Sequence, residues 1–246
     1  LEGPGVVRRF YSARPGGHLR IYIDGSETPM VDMTCEEFFS GRRYPFSRPL
    51  TGPMGGSNYS YFPIPYAKSI KIQTTAMRPA EFPYGVYYQV TYQTFPKDTD
   101  VRSLALPLAG EADAAWRRVL QTWSNVGADP KPAPPTQETL QREVRIEPGK
   151  RVELARITGA AVIDQFHLKL DPCDEPLLRS TLLKMHWDNE PRDSVDAPVG
   201  DFFANSYNLT PYKSLPMGLT ADGWYSYFSM PFGKRASISL VNESPD

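Results

Sequence analysis

Alternation of apolar and polar residues with a period of two recurs along this chain, while helical spacing is rare. In the run from Leu19 to Ile23, Leu19, Ile21 and Ile23 share one face and Arg20 and Tyr22 the other, the pattern of a half-buried strand. GVVRRFYS from Gly5, PMVDM from Pro29 and VYYQVTY from Val86 to Tyr92 extend this reading, with Pro15-Gly16-Gly17 and Asp24-Gly25 as turns between runs. Past residue 144 the strands resume as VRI, VELARI and AVIDQFHLKL, where Phe166, Leu168 and Leu170 alternate with Gln165, His167 and Lys169. Between these halves, Trp116, Val119, Leu120 and Trp123 recur at helical spacing and predict one short amphipathic helix. Pro130, Pro132, Pro134 and Pro135 follow, in a stretch that neither a helix nor a central strand accommodates and that reads as a linker.

The two strand-rich halves share a pattern. LRIYIDG, EFF and YSYFPIPYAKSIKI in the first half reappear as LKMHWDN, DFF and YSYFSMPFGKRASI in the second. Asp24 precedes Phe38 by fourteen residues, as Asp188 precedes Phe202, and Pro65 and Pro231 each stand three places before a lysine, Lys68 and Lys234. Asn189 in place of Gly25 predicts that the hairpin keeps a positive-φ position there. Six phenylalanines common to both halves, Phe38, Phe39, Phe62, Phe202, Phe203 and Phe228, are expected to anchor cores or interfaces. The expectation is an all-β chain of tandem jelly-roll-like β-sandwiches with one short connecting helix: a first sandwich over 1–96, helix and Pro-rich linker over 97–143, and a second sandwich over 144–246. The run after KSIKI in the first half has no counterpart after Ile238, and the chain does not begin with Met, so it reads as an internal piece whose second sandwich is incomplete at its C-terminal end.

Composition narrows the function. The chain has 25 Pro, 18 Gly, 14 Tyr, 12 Phe and 4 Trp in 246 residues, as turn-rich, aromatic-rich β-proteins do. A net charge of −1 with scattered Lys and Arg argues against nucleic acid as partner, and no apolar run approaches the ~18 residues of a membrane-spanning helix. Cys35 and Cys173 make no disulfide framework, and the three histidines, His18, His167 and His186, share no metal-ligand spacing. His167 and His186 fall on polar strand faces and read as solvated. With no Gly-rich phosphate loop, Gly-x-Ser-x-Gly elbow or Cys/His nucleophile arrangement, no cofactor or metal is expected.

The order of GPGVV, LRIYIDG, P-x-V, GDFF from Gly200 to Phe203, Y-x-S-L-P from Tyr212 to Pro216, and YFSMPF followed by a basic residue resembles the family once called domain of unknown function 2961, now glycoside hydrolase family 172. The match is most specific in WDNEPRDSVDAPVGDFF and in SLPMG with WYSYFSMPF. The resemblance implies tandem β-jelly-rolls, homo-oligomeric assembly, and cleavage of furanosides such as difructose anhydrides or D-arabinan. It also implies catalytic glutamates in and after a Gly-Thr-Glu-Asp-Tyr-type motif, a string this sequence does not contain.

Carbohydrate is therefore the expected partner, through a glycoside hydrolase whose catalytic segment lies elsewhere; the alternative is a non-catalytic carbohydrate-binding or structural jelly-roll protein. The carboxylates gather around the second hairpin as Asp188, Glu190, Asp193, Asp196 and Asp201. Asp188, like Asp24, precedes a turn residue, where Asp bonds its own backbone. Asp201 heads the DFF element as a cap or a sugar contact. Trp187 replaces Ile23 on an apolar face and reads as core. Trp224, placed in a loop insertion, and Tyr225 offer aromatic faces to a sugar ring. Trp224, Tyr225, Asp201 and Asp188 form the candidate substrate-binding set.

Overall fold

The computed structural model describes residues 1–75 and 87–245. It divides into two compact units, Leu1–Ser124 and Asn125–Asp246. Residues 97–124 thus belong with the first unit and 125–143 with the second, where three segments were expected. The first unit runs β1 (Gly5–Ser12), β2 (His18–Ile23), β3 (Val31–Thr34), α1 (Cys35–Phe39), β4 (Arg42–Arg43), β5 (Phe46–Ser47), β6 (Thr51–Met54), β7 (Ser57–Ser60), β8 (Ile64–Tyr66), β9 (Ile70–Thr75), β10 (Tyr88–Thr94) and α2 (Gly110–Ser124). The second runs β11 (Arg151–Thr158), β12 (Ala161–Ile163), β13 (Phe166–Leu168), α3 (Glu175–Ser180), β14 (Thr181–Trp187), β15 (Val195–Pro198), α4 (Val199–Phe202), β16 (Tyr212–Lys213), β17 (Met217–Thr220), β18 (Gly223–Ser226), β19 (Met230–Phe232) and β20 (Arg235–Asn242). The chain is all-β in class, with its few helices short or peripheral.

In the first unit a sheet ordered β10-β1-β7-β6, with β8 also on β1, accompanies the sheet β3-β2-β9. The period-two pattern closes the core. Val7 and Phe10 from β1 join Leu19, Ile21 and Ile23 from β2 and Phe38 and Phe39 from α1, all buried. Phe38 and Phe39 meet edge to face with ring centroids 4.9 Å apart, and Phe10 packs on both. A capping box at Thr34, with Glu37 closing it, starts the short helix that delivers these rings.

The second unit uses matching pairings. β14 lies between β20 and β15 as β2 lies between β9 and β3. Phe166 pairs with Ser226 and packs on Phe203, as Phe10 pairs with Ser60 and packs on Phe39. Leu183 and Met185 are fully buried, Trp187 partly so. The loop between β13 and β14 carries α3, which the first unit lacks between β1 and β2.

Several expectations change. The run from Val86 to Tyr92 does not form a half-buried strand: Val86 lies outside the described residues, and among those described β10 pairs only with β1, Tyr88 and Tyr92 stand exposed and Val90 alone of the run packs inward. The positive φ of the second hairpin belongs to Asp188 (51°), matching Asp24 (56°), and not to Asn189. Asp and Asn tolerate this left-handed region better than other non-glycine residues, so the acid can carry the turn itself. Phe228 is not core: it is 52% exposed, while Phe62 is 4% exposed. Phe62 is buried by Phe46 and by Trp116 of α2, which meets it edge to face at 4.8 Å. Among the described residues, the second unit has no helix in the role of α2.

Candidate functional site

Asp188 follows β14 in the left-handed conformation, and its backbone N–H donates to the Arg235 carbonyl at 2.8 Å. This presents its carboxylate to the turn between β19 and β20, where the backbone N–H groups of Gly233, Lys234 and Arg235 donate to it. Those bonds, from Gly233 and Arg235 foremost, hold the carboxyl below the ordinary Asp range. Asp24 does the same in the first unit, accepting from the N–H of Lys68 and Ser69 and from the Ser103 hydroxyl. Partial burial pushes its pKa up, but these bonds outweigh it and the net displacement is downward. The turn role therefore holds with a different partner: each Asp staples the neighbouring hairpin rather than its own backbone.

Asp201 lies in α4, whose N-cap Pro198 makes no side-chain capping bond, so Asp201 does not cap the element. It pairs instead with Arg179 of α3, and a hydrogen bond from Ser206 together with that guanidinium lowers its pKa. Its first-unit counterpart, Glu37, completes the capping box. The inserted helix α3 thus gives the second acid a different task. Around the hairpin, Asp196 binds Lys184 at 2.6 Å, and Asp193 faces His186 Nδ1 at 3.3 Å with Arg151 at 4.0 Å. His186 is accordingly half-buried against Asp193 rather than fully solvated, while His167 is exposed, as expected, and meets the Tyr227 ring at 5.8 Å.

The aromatic candidates are core. Trp224 is 1% exposed on β18, paired with Leu168 and Leu219, stacked on Phe203 at 5.7 Å and donating Nε1–H to Asn205 Oδ1 at 2.9 Å. It occupies the position of Asn58 on β7, not a loop insertion. Tyr225 is also buried; its hydroxyl donates to the Ser214 carbonyl at 2.8 Å. Gly218 faces it, where a Cβ would lie 2.5 Å from that hydroxyl. Neither ring has a face free for a sugar. Trp187 stacks on Phe232 with planes 7° apart, as its apolar position implies.

The structure does not bring Asp188, Asp201, Trp224 and Tyr225 together as a site. Among the described residues, no group of three or more His, Cys, Asp and Glu side chains is arranged to hold a metal ion, and no helix is long and apolar enough to cross a membrane. Residues passed over in the sequence stand out instead on the outer face of the first unit's sheet, where Tyr61 and Trp123 are 45% and 40% exposed with their rings stacked. The signal was the alternation in Tyr59-Ser60-Tyr61-Phe62: Ser60 and Phe62 point inward, so the tyrosines take the other face.

Antiparallel sheets closed over aromatic cores define this chain as a β-sandwich protein. The GH172 first beta-sandwich domain matches residues 1–110, and a GH172 domain-like description matches residues 136–246. The chain belongs to glycoside hydrolase family 172. No curated protein matches it.

Proposed function

We propose that this chain is part of a glycoside hydrolase acting on furanosides of the fructan or arabinan type, working as a homo-oligomer and drawing its catalytic carboxyl pair from outside these 246 residues. Membership of the family supports the reaction class. The observation that supports a catalytic pair outside these residues is how the conspicuous carboxyl groups are engaged: Asp24 and Asp188 accept backbone N–H bonds, Glu37 closes a capping box and Asp201 pairs with Arg179. A glycosidase needs one carboxyl kept protonated near neutral pH and a second nearby. Among the described residues, every carboxyl whose pKa is displaced is displaced downward by hydrogen bonds or cations. These acids are fastened into turns, caps and ion pairs, which suits a scaffold better than a general acid.

Support for association comes from the second unit. Val162 and Phe228 are 50% and 52% exposed, while Val6 and Phe62 in the matching positions are 5% and 4% exposed. Among the described residues, strands β12 and β13 each pair on one side only, with β19 and β18, so exposed apolar side chains accompany unpaired strand edges.

The chain assayed alone on arabinan fragments and fructose dianhydrides is expected to show no turnover, and the complete open reading frame that encodes it is expected to be active. Turnover by the 246 residues that disappears in Asp188→Asn or Asp201→Asn would place the chemistry here and overturn the assignment. Inactivity of both preparations would favour a non-catalytic carbohydrate-binding or shell-forming role.

A further inference from the structure

The outer face of the sheet β10-β1-β7-β6 carries two cross-strand rows. Tyr11 pairs with Gln89 on one side and Tyr59 on the other, and Arg9 lies one step along the same face of β1. The Arg9 guanidinium sits 4.8 Å from the Tyr11 ring centroid and 6.0 Å from that of Tyr61, donates to Gln89 Oε1 at 2.6 Å, and keeps a buried Nε without a partner among the described residues. Tyr59 and Tyr61 lie 5.6 Å apart, and Tyr61 stacks on Trp123 of α2 at 6.5 Å with planes 19° apart. Two nearly parallel rings, each about half open to solvent, stand beside a fixed cation and an amide.

The second unit shows what this face accepts. Tyr225 pairs with His167 and Gly218 there, as Tyr59 pairs with Tyr11 and Gly52, and Tyr227 follows as Tyr61 does. The Tyr61 and Tyr227 N–H groups both donate at 2.7 Å, to the Leu50 and Pro216 carbonyls respectively. In the second unit the chain itself fills the face: Lys131 Nζ lies 5.4 Å from the Tyr227 centroid, and the Tyr227 hydroxyl donates to the Gly127 carbonyl at 3.0 Å. The face thus takes a chain segment that sets an ammonium group over the Tyr227 ring and a carbonyl against its hydroxyl. Gly127 and Lys131 meet it in the second unit, and among the described residues no such segment covers it in the first.

We propose that Arg9, Tyr11, Tyr59, Tyr61, Gln89 and Trp123 form a non-catalytic platform for a neutral oligosaccharide. A sugar ring offers C–H groups on one face and hydroxyls around its rim. The Tyr61 and Trp123 rings receive the C–H face, and Arg9 and Gln89 bond the rim hydroxyls. A nucleic acid would need a cluster of cations, and the platform has a single arginine already shared with a glutamine. This assignment rests on the carbohydrate reading above for its ligand class, while its location rests on the geometry alone.

The test is calorimetric titration of the full chain with arabino-oligosaccharides, inulin-type fructo-oligosaccharides and xylo-oligosaccharides. Tyr61→Ala and Trp123→Ala are each expected to weaken binding about tenfold. Arg9→Gln is expected to weaken it less, and Phe228→Ala, an equally exposed aromatic away from this face, to leave it unchanged. Because Tyr61 and Trp123 are exposed, an unchanged Tm in their variants separates lost binding from lost folding. Wild-type affinity in both aromatic variants, or no binding to any of the three sugars, overturns the platform and leaves the furanoside reading to the hydrolysis assay. Loss of xylo-oligosaccharide binding in the variants, with no furanosyl binding by the wild type, keeps the platform and counts against the furanoside substrate.

Discussion

A carboxylate that staples a neighbouring hairpin is a stability element before it is anything else. Asp24 ties β2 to the turn before β9 and, through Ser103, to the segment that follows β10. Replacing it with Asn removes a charged acceptor from N–H groups that stay in place, so Asp24→Asn is expected to cost about 1–3 kcal/mol in a urea unfolding titration. The pH dependence follows from the direction of the shift. The folded pKa values of Asp24 and Asp188 lie below their unfolded values. Their contribution is therefore fully present above the unfolded Asp pKa of about 3.9 and is lost as pH falls through the folded value. The acid-induced decline in stability is expected to be shallower in the double variant Asp24→Asn/Asp188→Asn than in the wild type. Phenylalanines of the shared pattern separate just as sharply. Phe203 is fully buried between Phe166 and Trp224, and Phe203→Ala is expected to cost about 3–5 kcal/mol. Phe228→Ala, at an exposed position, is expected to change stability by less than about 0.5 kcal/mol. The sequence marked these six rings as equals; burial, which depends on what packs over them, sets them apart.

At the scale of the element, α2 decides the difference between the units. Its amphipathic spacing was legible, and its extent from Gly110 to Ser124 contains the predicted stripe. What the spacing could not say is which residue the helix buries. Trp116 goes down, edge to face on Phe62, with Nε1–H donating to the Pro45 carbonyl at 2.9 Å, while Val119 and Trp123 remain exposed. Trp116→Ala is expected to lower stability by about 3–5 kcal/mol and to increase dye binding to the newly opened aromatic pocket, checked by paired urea and ANS titrations. Helix α3 acts the same way on a smaller scale. It brings Arg179 to Asp201, an ion pair that no spacing within the DFF element could foretell.

For the whole molecule, all the strand pairings among the described residues fall within Leu1–Ser124 or within Asn125–Asp246, and each unit has its own buried cluster. Fragments 1–124 and 125–246 are therefore each expected to give a cooperative melt and a β-type far-UV spectrum when expressed alone; a fragment that stays unfolded would show that its core depends on the other. The sequence by itself determined the β class, the period-two faces of β2 and β14, the placement of α2 and the family, because alternation, turn residues and linked motifs are local properties that the chain carries wherever it folds. It also determined that Asp24 and Asp188 play one role, since both follow a strand at the same distance from a Phe pair. Only the tertiary structure decided that Trp224 and Tyr225 are core, that Asp201 meets a cation, and that Tyr61 and Trp123 form the open aromatic face. A period of two assigns a residue to one side of a strand but does not say whether that side meets solvent, a helix or the chain's own linker, and it is this covering that separates a packing aromatic from one free to bind.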